Sequence, residues 1–322
     1  MALLRVNSVC KQIAQKTIVN NISFEQAPLQ KIAIVGETGS GKSTLLKMIA
    51  GWVQPDAGEL FLEAQRIKGP DEKLIPGQKE IAYLSQHFEL RNAYRAEELL
   101  SYANTLSDTE AAALFEVCKI DHLLKRKTDQ LSGGERQRIA IARLLISAPK
   151  LLLLDEPFSN LDLIHKNILK TVIRDIGERL QMTCLMVSHD PHDILAWADE
   201  IIILKSGTII QQGTPHEVYH YPVDAYAAGL MGNYQLCTPA IEKLFALSPN
   251  NNHQPFLRPE YFKIVAEGAG IKAVINRIFF MGGWYELQIT IADTQITLKT
   301  METSYQKGDT VFVELVLPPI IE

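Results

Sequence analysis

Nine residues, Gly36-Glu37-Thr38-Gly39-Ser40-Gly41-Lys42-Ser43-Thr44, stand between two apolar segments. The short run Ile32-Ala33-Ile34-Val35 precedes them, and the periodic stretch Leu45-Leu46-Lys47-Met48-Ile49-Ala50 follows. The order is strand, glycine-rich turn, helix, the context in which such a loop encloses phosphate. Its glycines let backbone N–H groups turn inward around phosphate oxygens, which a Cβ would obstruct. The helix N-terminus adds unpaired N–H groups and partial positive charge. Lys42 is placed to reach the β- and γ-phosphates of a bound nucleotide, and Ser43 to put its hydroxyl on Mg²⁺. Few other nine-residue stretches constrain a fold as tightly, because the turn works only at the end of a buried parallel strand.

The 322 residues suggest two domains, and 47% hydrophobic content permits a substantial core. A net charge of −5 gives no reason to expect nucleic acid as a partner. Cys10, Cys118, Cys184 and Cys237 show no CxxC spacing, so neither a zinc site nor a disulfide framework is indicated, and a reducing compartment fits. The first residues lack the layout of a secretion signal. No window approaches ~18 uninterrupted apolar residues, so any membrane-spanning parts of the system are expected on other chains.

In chain order, residues 3–25 read as strands. Pro55-Asp56-Ala57-Gly58 is a turn, and 59–62 and 81–84 are short strands. Residues 95–127 change character: Thr109-Glu110-Ala111-Ala112-Ala113-Leu114 is strongly helix-forming throughout. A glycine pair, Gly133-Gly134, then opens a helix that Pro149 stops. Leu151-Leu152-Leu153-Leu154 is apolar without alternation, as a central parallel strand covered on both faces should be. It ends in Asp155-Glu156-Pro157, where ligands of open α/β sheets bind. A helix follows Ser159-Asn160-Leu161-Asp162 and runs to about residue 180. Another buried strand, 183–187, ends in Ser188-His189-Asp190, Pro191 suits the first turn of a helix, and 201–210 reads as a hairpin. Near residue 232 the helix–strand alternation stops. A polar loop at 250–255 precedes three strand regions, 271–278, 284–291 and 311–316, with Gly282-Gly283 joining the first two. This small β domain carries 7 Lys/Arg against 9 Asp/Glu over 233–322, so no basic patch is evident.

The motifs fall in the order that an ATP-hydrolysing site needs. Asp155, at a strand end, is the expected Mg²⁺ partner through water, and Glu156 can orient or deprotonate the attacking water. Together with the glycine-rich loop and the strand ending Leu154-Asp155-Glu156-Pro157, Leu131-Ser132-Gly133-Gly134-Glu135 resembles the signature motif of ABC transporter ATPases. The resemblance covers residues 3–232.

It implies an α/β P-loop NTPase domain at 1–232 with a RecA-like core and a helical subdomain at about 88–145. It also implies a head-to-tail dimer, with a second copy or a related ATPase subunit, holding two ATP molecules at its interface. Ser132, Gly133 and Gly134 would then meet the γ-phosphate held by the other subunit's loop; a glycine pair at a helix N-terminus is itself an anion site. By the same resemblance Gln86 takes the place of the glutamine that touches Mg²⁺ or water and senses the membrane partner. Asp162 matches the aspartate of the D-loop, with an N-cap as its structural role. His189 matches the switch histidine that contacts γ-phosphate. One departure stands out: where the family stacks adenine on an aromatic ring, this chain has Ile13. The region between Gln86 and Leu131, which grips a permease in the family, is also short.

Residues 233–322 resemble the small all-β TOBE (OB-like) domain at the C-terminus of importer ATPases, through Arg258-Pro259-Glu260 and the hairpin around Gly282-Gly283. Phe279, Trp284 and Tyr285 are expected in its core. The resemblance thus implies an ATPase subunit on the cytoplasmic face of the inner membrane. Its partners would be integral-membrane permease subunits and, indirectly, an extracytoplasmic binding protein, with ATP and Mg²⁺ as cofactors. Two other readings stay open: an exporter ATPase, against which the β domain argues, and a soluble ABC protein working on ribosomes or DNA, against which the single P-loop argues.

Overall fold

The computed structural model describes residues 2–86, 90, 92–159, 161–247 and 255–318. His87, Asn160 and the polar loop expected at 250–255, Pro255 apart, lie outside them. Two compact units divide the described chain between Pro215 and His216, ahead of the boundary expected at 232/233.

In the first unit, β1 (Leu4–Ile13) and β2 (Lys16–Gln26) form an antiparallel hairpin. The strand β3 (Lys31–Val35) delivers the glycine-rich loop to α1 (Lys42–Ile49). Then come β4 (Ala57–Leu62), β5 (Gln65–Arg66) and β6 (Ile81–Leu84). The helical stretch follows as α2 (Ala96–Ser101), α3 (Asp108–Cys118) and α4 (Gly133–Leu145). The unit is completed by β7 (Leu151–Asp155), α5 (Leu163–Arg179), β8 (Thr183–Val187), α6 (Pro191–Ile194), β9 (Glu200–Lys205) and β10 (Thr208–Gly213).

Two sheets result. One is antiparallel, in the order β2-β1-β4-β5; the other runs β10-β9-β3-β8-β7-β6 and is parallel apart from the β9–β10 hairpin. The period of two explains why β7 needs four leucines. Leu151 and Leu153 enter the core shared with α1 and the antiparallel sheet, whereas Leu152 and Leu154 enter the core under α3, α4 and α5. All four are fully buried, each worth about 1.5–3 kcal/mol. Cys118 and Cys184 belong to the second of these cores, and burial pushes both thiols up to about 12, so they are packing residues. Because β3, β8 and β7 are neighbours, the loops after them leave the sheet side by side at its C-terminal edge.

The second unit contains α7 (Pro215–His220, from His216), α8 (Ala225–Met231), β11 (Gln235–Leu236), α9 (Pro239–Leu244) and β12 (Phe256–Leu257). A five-stranded antiparallel sheet then forms from β13 (Phe262–Val265), β14 (Ile271–Phe280), β15 (Tyr285–Ile291), β16 (Thr294–Thr300) and β17 (Thr310–Leu315) in the order β13-β17-β14-β15-β16. Residues 216–232 join this unit because fully buried Arg258 binds them. Its guanidinium donates to the carbonyls of Tyr219 (2.9 and 3.2 Å), Ala228 (3.0 Å), Gly232 (2.9 Å) and Asn233 (3.2 Å), and lies 4.3 Å above the Tyr219 ring. Two expectations are corrected. The sheet has two strands more than the three read from sequence. Phe279 is exposed on the outer face of the β14–β15 hairpin rather than packed in the core, because its strand neighbour Ile278 takes the inward position.

Candidate active site

The glycine-rich loop is shaped by close approach on one side and openness on the other. A Cβ on Gly36 would lie 2.3 Å from the Leu204 carbonyl oxygen, and one on Gly41 would lie 2.4 Å from that of Ile18. Gly41 also has φ 101°, a left-handed conformation that only glycine adopts without strain. By contrast, nothing among the described residues lies within 4 Å of where a Cβ on Gly39 would be. The loop is thus pinned to the sheet at its ends and open at its crown, where Glu37, Thr38 and Gly39 are exposed. Ser40 is buried at the base. Lys42 is 5% exposed and its ammonium donates to the carbonyls of Gly36 and Glu37, both at 2.8 Å. Burial lowers its pKa, opposed by the charges of Glu156, Asp155 and Glu37. Ser43 and Thr44 follow in the first turn of α1.

The carboxylate of Asp155, 3% exposed, is gripped from two sides. The Ser43 hydroxyl donates to one oxygen at 2.8 Å, and the Tyr83 hydroxyl to the other at 2.9 Å. Burial pushes the Tyr83 phenol up, with the Asp155 charge and this hydrogen bond adding to the effect. Glu156 comes next, with φ 47°. A non-glycine residue there is strained by sterics and persists only where its surroundings impose it. Here its N–H donates to the Val187 carbonyl (3.0 Å), and the Ser159 N–H and hydroxyl both donate to its own carbonyl (3.2 and 2.8 Å). The turn aims the Glu156 carboxylate at His189, whose Nδ1 is 3.3 Å away on an exposed ring. Behind His189, Lys166 of α5 bridges Asp190 (2.7 Å) and buried Asp193 (2.8 Å), and Lys170 adds a second contact to Asp193 (2.8 Å). Gln86 is exposed in the turn after β6, whose neighbour β7 carries Asp155. Ile13 is 51% exposed at the β1–β2 turn, where it pairs with Lys16.

The signature residues form a second group, on the first turn of α4. Ser132 is the N-cap: its hydroxyl accepts from the Glu135 N–H (3.3 Å), and its N–H donates to the Glu135 carboxylate (2.8 Å). That backbone donor is the main reason the Glu135 carboxyl sits below its usual range. Gly133 is exposed, with nothing among the described residues within 4 Å of where a Cβ would be. Gly134 is tight: a Cβ there would meet His165 at 2.8 Å. Asp162 does cap α5, accepting from the His165 N–H (3.0 Å), and its other oxygen lies 2.6 Å from His165 Nδ1. His165 Nε2 in turn is 3.4 Å from the Ser132 hydroxyl. Buried Gln137 of α4 donates to the Pro157 carbonyl, tying this helix to the turn that bears Glu156.

Sequence reasoning missed Tyr83, His165 and Lys166. Tyr83 had a usable signal, a polar-tipped aromatic inside an otherwise apolar strand. The other two sit on a helix face whose neighbours only the fold supplies. A cavity of about 530 Å³ lined by Leu106, Leu145, Pro149 and Met182 opens at the N-terminal ends of β7 and β8. It lies at the far edge of the sheet from this chemistry.

Known proteins resemble this chain in sequence and fold. The family described as ABC transporter matches residues 19–159. An Fe(3+) ion import ATP-binding protein of Photobacterium profundum is 29% identical over 93% of this chain and 91% of its own length. A sulfate/thiosulfate import ATP-binding protein of a Synechocystis species is 31% identical over 91% of this chain and 86% of its own. Among solved structures, an ATP-binding cassette of an ABC transporter in its ADP conformation superposes with a TM-score of 0.61, at 22% identity over 71% of this chain and 98% of that one. A dimeric cassette in a post-hydrolysis state, bound to ADP and Pi, gives 0.56 at 25% identity over 66% and 98%. With its phosphate loop, strand-end carboxylates and capped signature helix in this order on this fold, the chain belongs to the ABC transporter ATP-binding proteins and is an ATPase subunit of that family.

Proposed function

We propose that the chain powers a bacterial importer as a dimer, with Lys42, Ser43, Asp155, Glu156 and His189 of one subunit facing Ser132, Gly133 and Gly134 of the other across each ATP. The observation that carries this reading is the convergence at one sheet edge of an open phosphate loop, a buried ammonium and a strained, outward-aimed Glu156. The likeness to a dimeric cassette and to import proteins supports the dimer and the direction of transport.

ATP is the substrate. Lys42, the loop N–H groups and the α1 N-terminus receive its phosphates, and Ile13 offers the base an aliphatic surface. Ser43 and Asp155 are hard oxygen donors 2.8 Å apart, which fits Mg²⁺, an ion held by one or two protein oxygens together with phosphate and water. Gln86 is positioned at the same sheet edge to join them. When bound, the ion would neutralise charge on the β- and γ-phosphates. Glu156 accepts the proton of the attacking water, and His189, braced by the Lys166 network, holds the γ-phosphate in line. Catalysis of this kind is positioning plus electrostatics.

Closure on ATP and opening after hydrolysis would pass to permease subunits through the surface around Gln86. Among the described residues no helix is long and apolar enough to cross a membrane; the chain is assigned to the cytoplasmic face of the inner membrane, against integral-membrane permease subunits on other chains. The two relatives serve ferric ions and sulfate or thiosulfate, so cargo choice is assigned to the permease and an extracytoplasmic binding protein. We assign residues 233–322 to a TOBE-type accessory domain; the five-stranded antiparallel sheet they form supports that reading.

Affinity purification from gently solubilised native membranes tests the proposal. A stoichiometric multi-spanning permease is expected. Recovery of ribosomal or DNA-repair proteins, with nothing from the membrane, would overturn the importer reading and leave the ATPase assignment standing.

A further inference from the structure

Two motifs of the dimer interface, the signature loop and the D-loop, are joined within one subunit by a side chain that belongs to neither. Asp162, His165 and Ser132 form a chain of contacts at 2.6 and 3.4 Å. We infer that His165 is a positioning residue that controls where the Ser132 hydroxyl points its hydrogen, and so how well the signature loop holds the γ-phosphate of the other subunit's ATP. The inference rests on the dimer reading above.

Donor and acceptor accounting carries the argument. The Asp162 carboxylate only accepts, so His165 Nδ1 must donate to it, which fixes the ring tautomer. The Ser132 hydroxyl oxygen already accepts the Glu135 N–H. With a neutral ring, Nε2 is an acceptor, and the serine hydrogen is drawn to it. An anion beside Ser132 then faces oxygen lone pairs. With a protonated ring, Nε2 donates to the serine oxygen instead. The serine hydrogen is released toward the open side of the loop at Gly133, and the imidazolium adds positive charge next to the α4 N-terminus. The arrangement is built into the packing. Only a residue without a Cβ at 134 lets the ring come this close. His165 is the N3 residue of the helix capped by Asp162, so backbone and side chain hold the same carboxylate.

Among the described residues, two carboxylates meet the ring or its serine partner. Asp162 lies on its own element. From α4 comes Glu135, whose carboxylate is held by the Ser132 N–H and faced by Arg126 (3.7 Å) and Arg138. An incoming phosphate beside Ser132 would favour the imidazolium, so dimer closure should take up a proton and tighten as pH falls.

The test measures MgATP-dependent dimerisation of the full chain by sedimentation, at about pH 6 and about pH 8, in three proteins: E156Q, E156Q/H165Q and E156Q/H165L. Effects of γ-phosphate ionisation and of His189 are common to all three. E156Q should dimerise about tenfold or more tightly at the lower pH, the worth of a hydrogen bond to a charged group. In E156Q/H165Q, whose amide reaches Ser132 but does not titrate, the dimer should form with most of this pH dependence gone. E156Q/H165L should be the weakest of the three at the lower pH. Equal pH dependence in E156Q and E156Q/H165Q would overturn the inference while the dimer reading stands. Absence of an ATP-dependent dimer of E156Q at either pH would overturn the dimer reading and, with it, this one.

Discussion

Replacing Tyr83 by phenylalanine removes a single hydroxyl, and the structure sets the size of the effect. The Asp155 carboxylate is almost wholly buried and has two neutral donors, one on each oxygen. Y83F leaves the oxygen that faced Tyr83 without its donor in a place water reaches poorly. A hydrogen bond to a charged group contributes about 1.5–3 kcal/mol. In a unit of this size each kcal/mol moves the midpoint by about 2–4 °C, so a fall of about 3–12 °C is expected. The ring's packing, including its contact with Trp52 at 6.5 Å, is retained, so the loss reports the hydroxyl alone. Calorimetry of the full chain measures it, following the transition that nucleotide shifts. S43A strips the other oxygen of the same carboxylate, so the two changes should be non-additive in Y83F/S43A, with coupling of about 0.5 kcal/mol or more. A midpoint within about 1 °C of wild type, or strict additivity, would refute the claim that Asp155 is held by both donors.

E156Q should bind ATP and turn it over at least about a hundredfold more slowly, as loss of a positioned base does; wild-type turnover would remove Glu156 from its role. K42A should lose most ATP affinity, and unchanged affinity in a nucleotide titration would count against the phosphate loop. R258K and R258M should each destabilise the second unit by about 3 kcal/mol or more, because several buried carbonyls lose their donor and lysine lacks the planar fork to replace it; urea unfolding checks both. Glu135, whose carboxyl is depressed by the Ser132 N–H, stabilises the fold above its unfolded pKa, and that contribution is lost as pH falls through the lower folded value. The stability gap between wild type and E135Q should therefore be largest near neutrality, at most about 1–2 kcal/mol, and close in acid; urea midpoints across pH would show it.

How much of this was legible in the sequence depended on whether a residue's partners are near in the chain. The phosphate loop was legible because strand, glycines, lysine and helix are contiguous. Leu151 to Glu156 was legible because an uninterrupted apolar run ending in carboxylates has few other uses. Asp162 as a helix cap followed from local chemistry alone. Strand β16 was not legible, since Thr294–Thr300 has few apolar residues and relies on pairing with β15 for its identity. Arg258 was placed in a motif, but its donors reach carbonyls up to thirty-nine residues away, and no spacing rule announces that. His165 looked like any helix-surface histidine. Its meaning came from α4, which brings Ser132 to it across thirty-three residues of sequence.

The backbone at Glu156 sets stability and activity against each other at one position. A left-handed φ in a residue with a side chain costs about 1–2 kcal/mol, and glycine there would recover it. An E156G chain is therefore expected to be the sturdier protein and the dead one. Any screen that ranks variants of this ATPase by thermal endurance alone would select toward the loss of its turnover, and would do so at the residue on which turnover most depends.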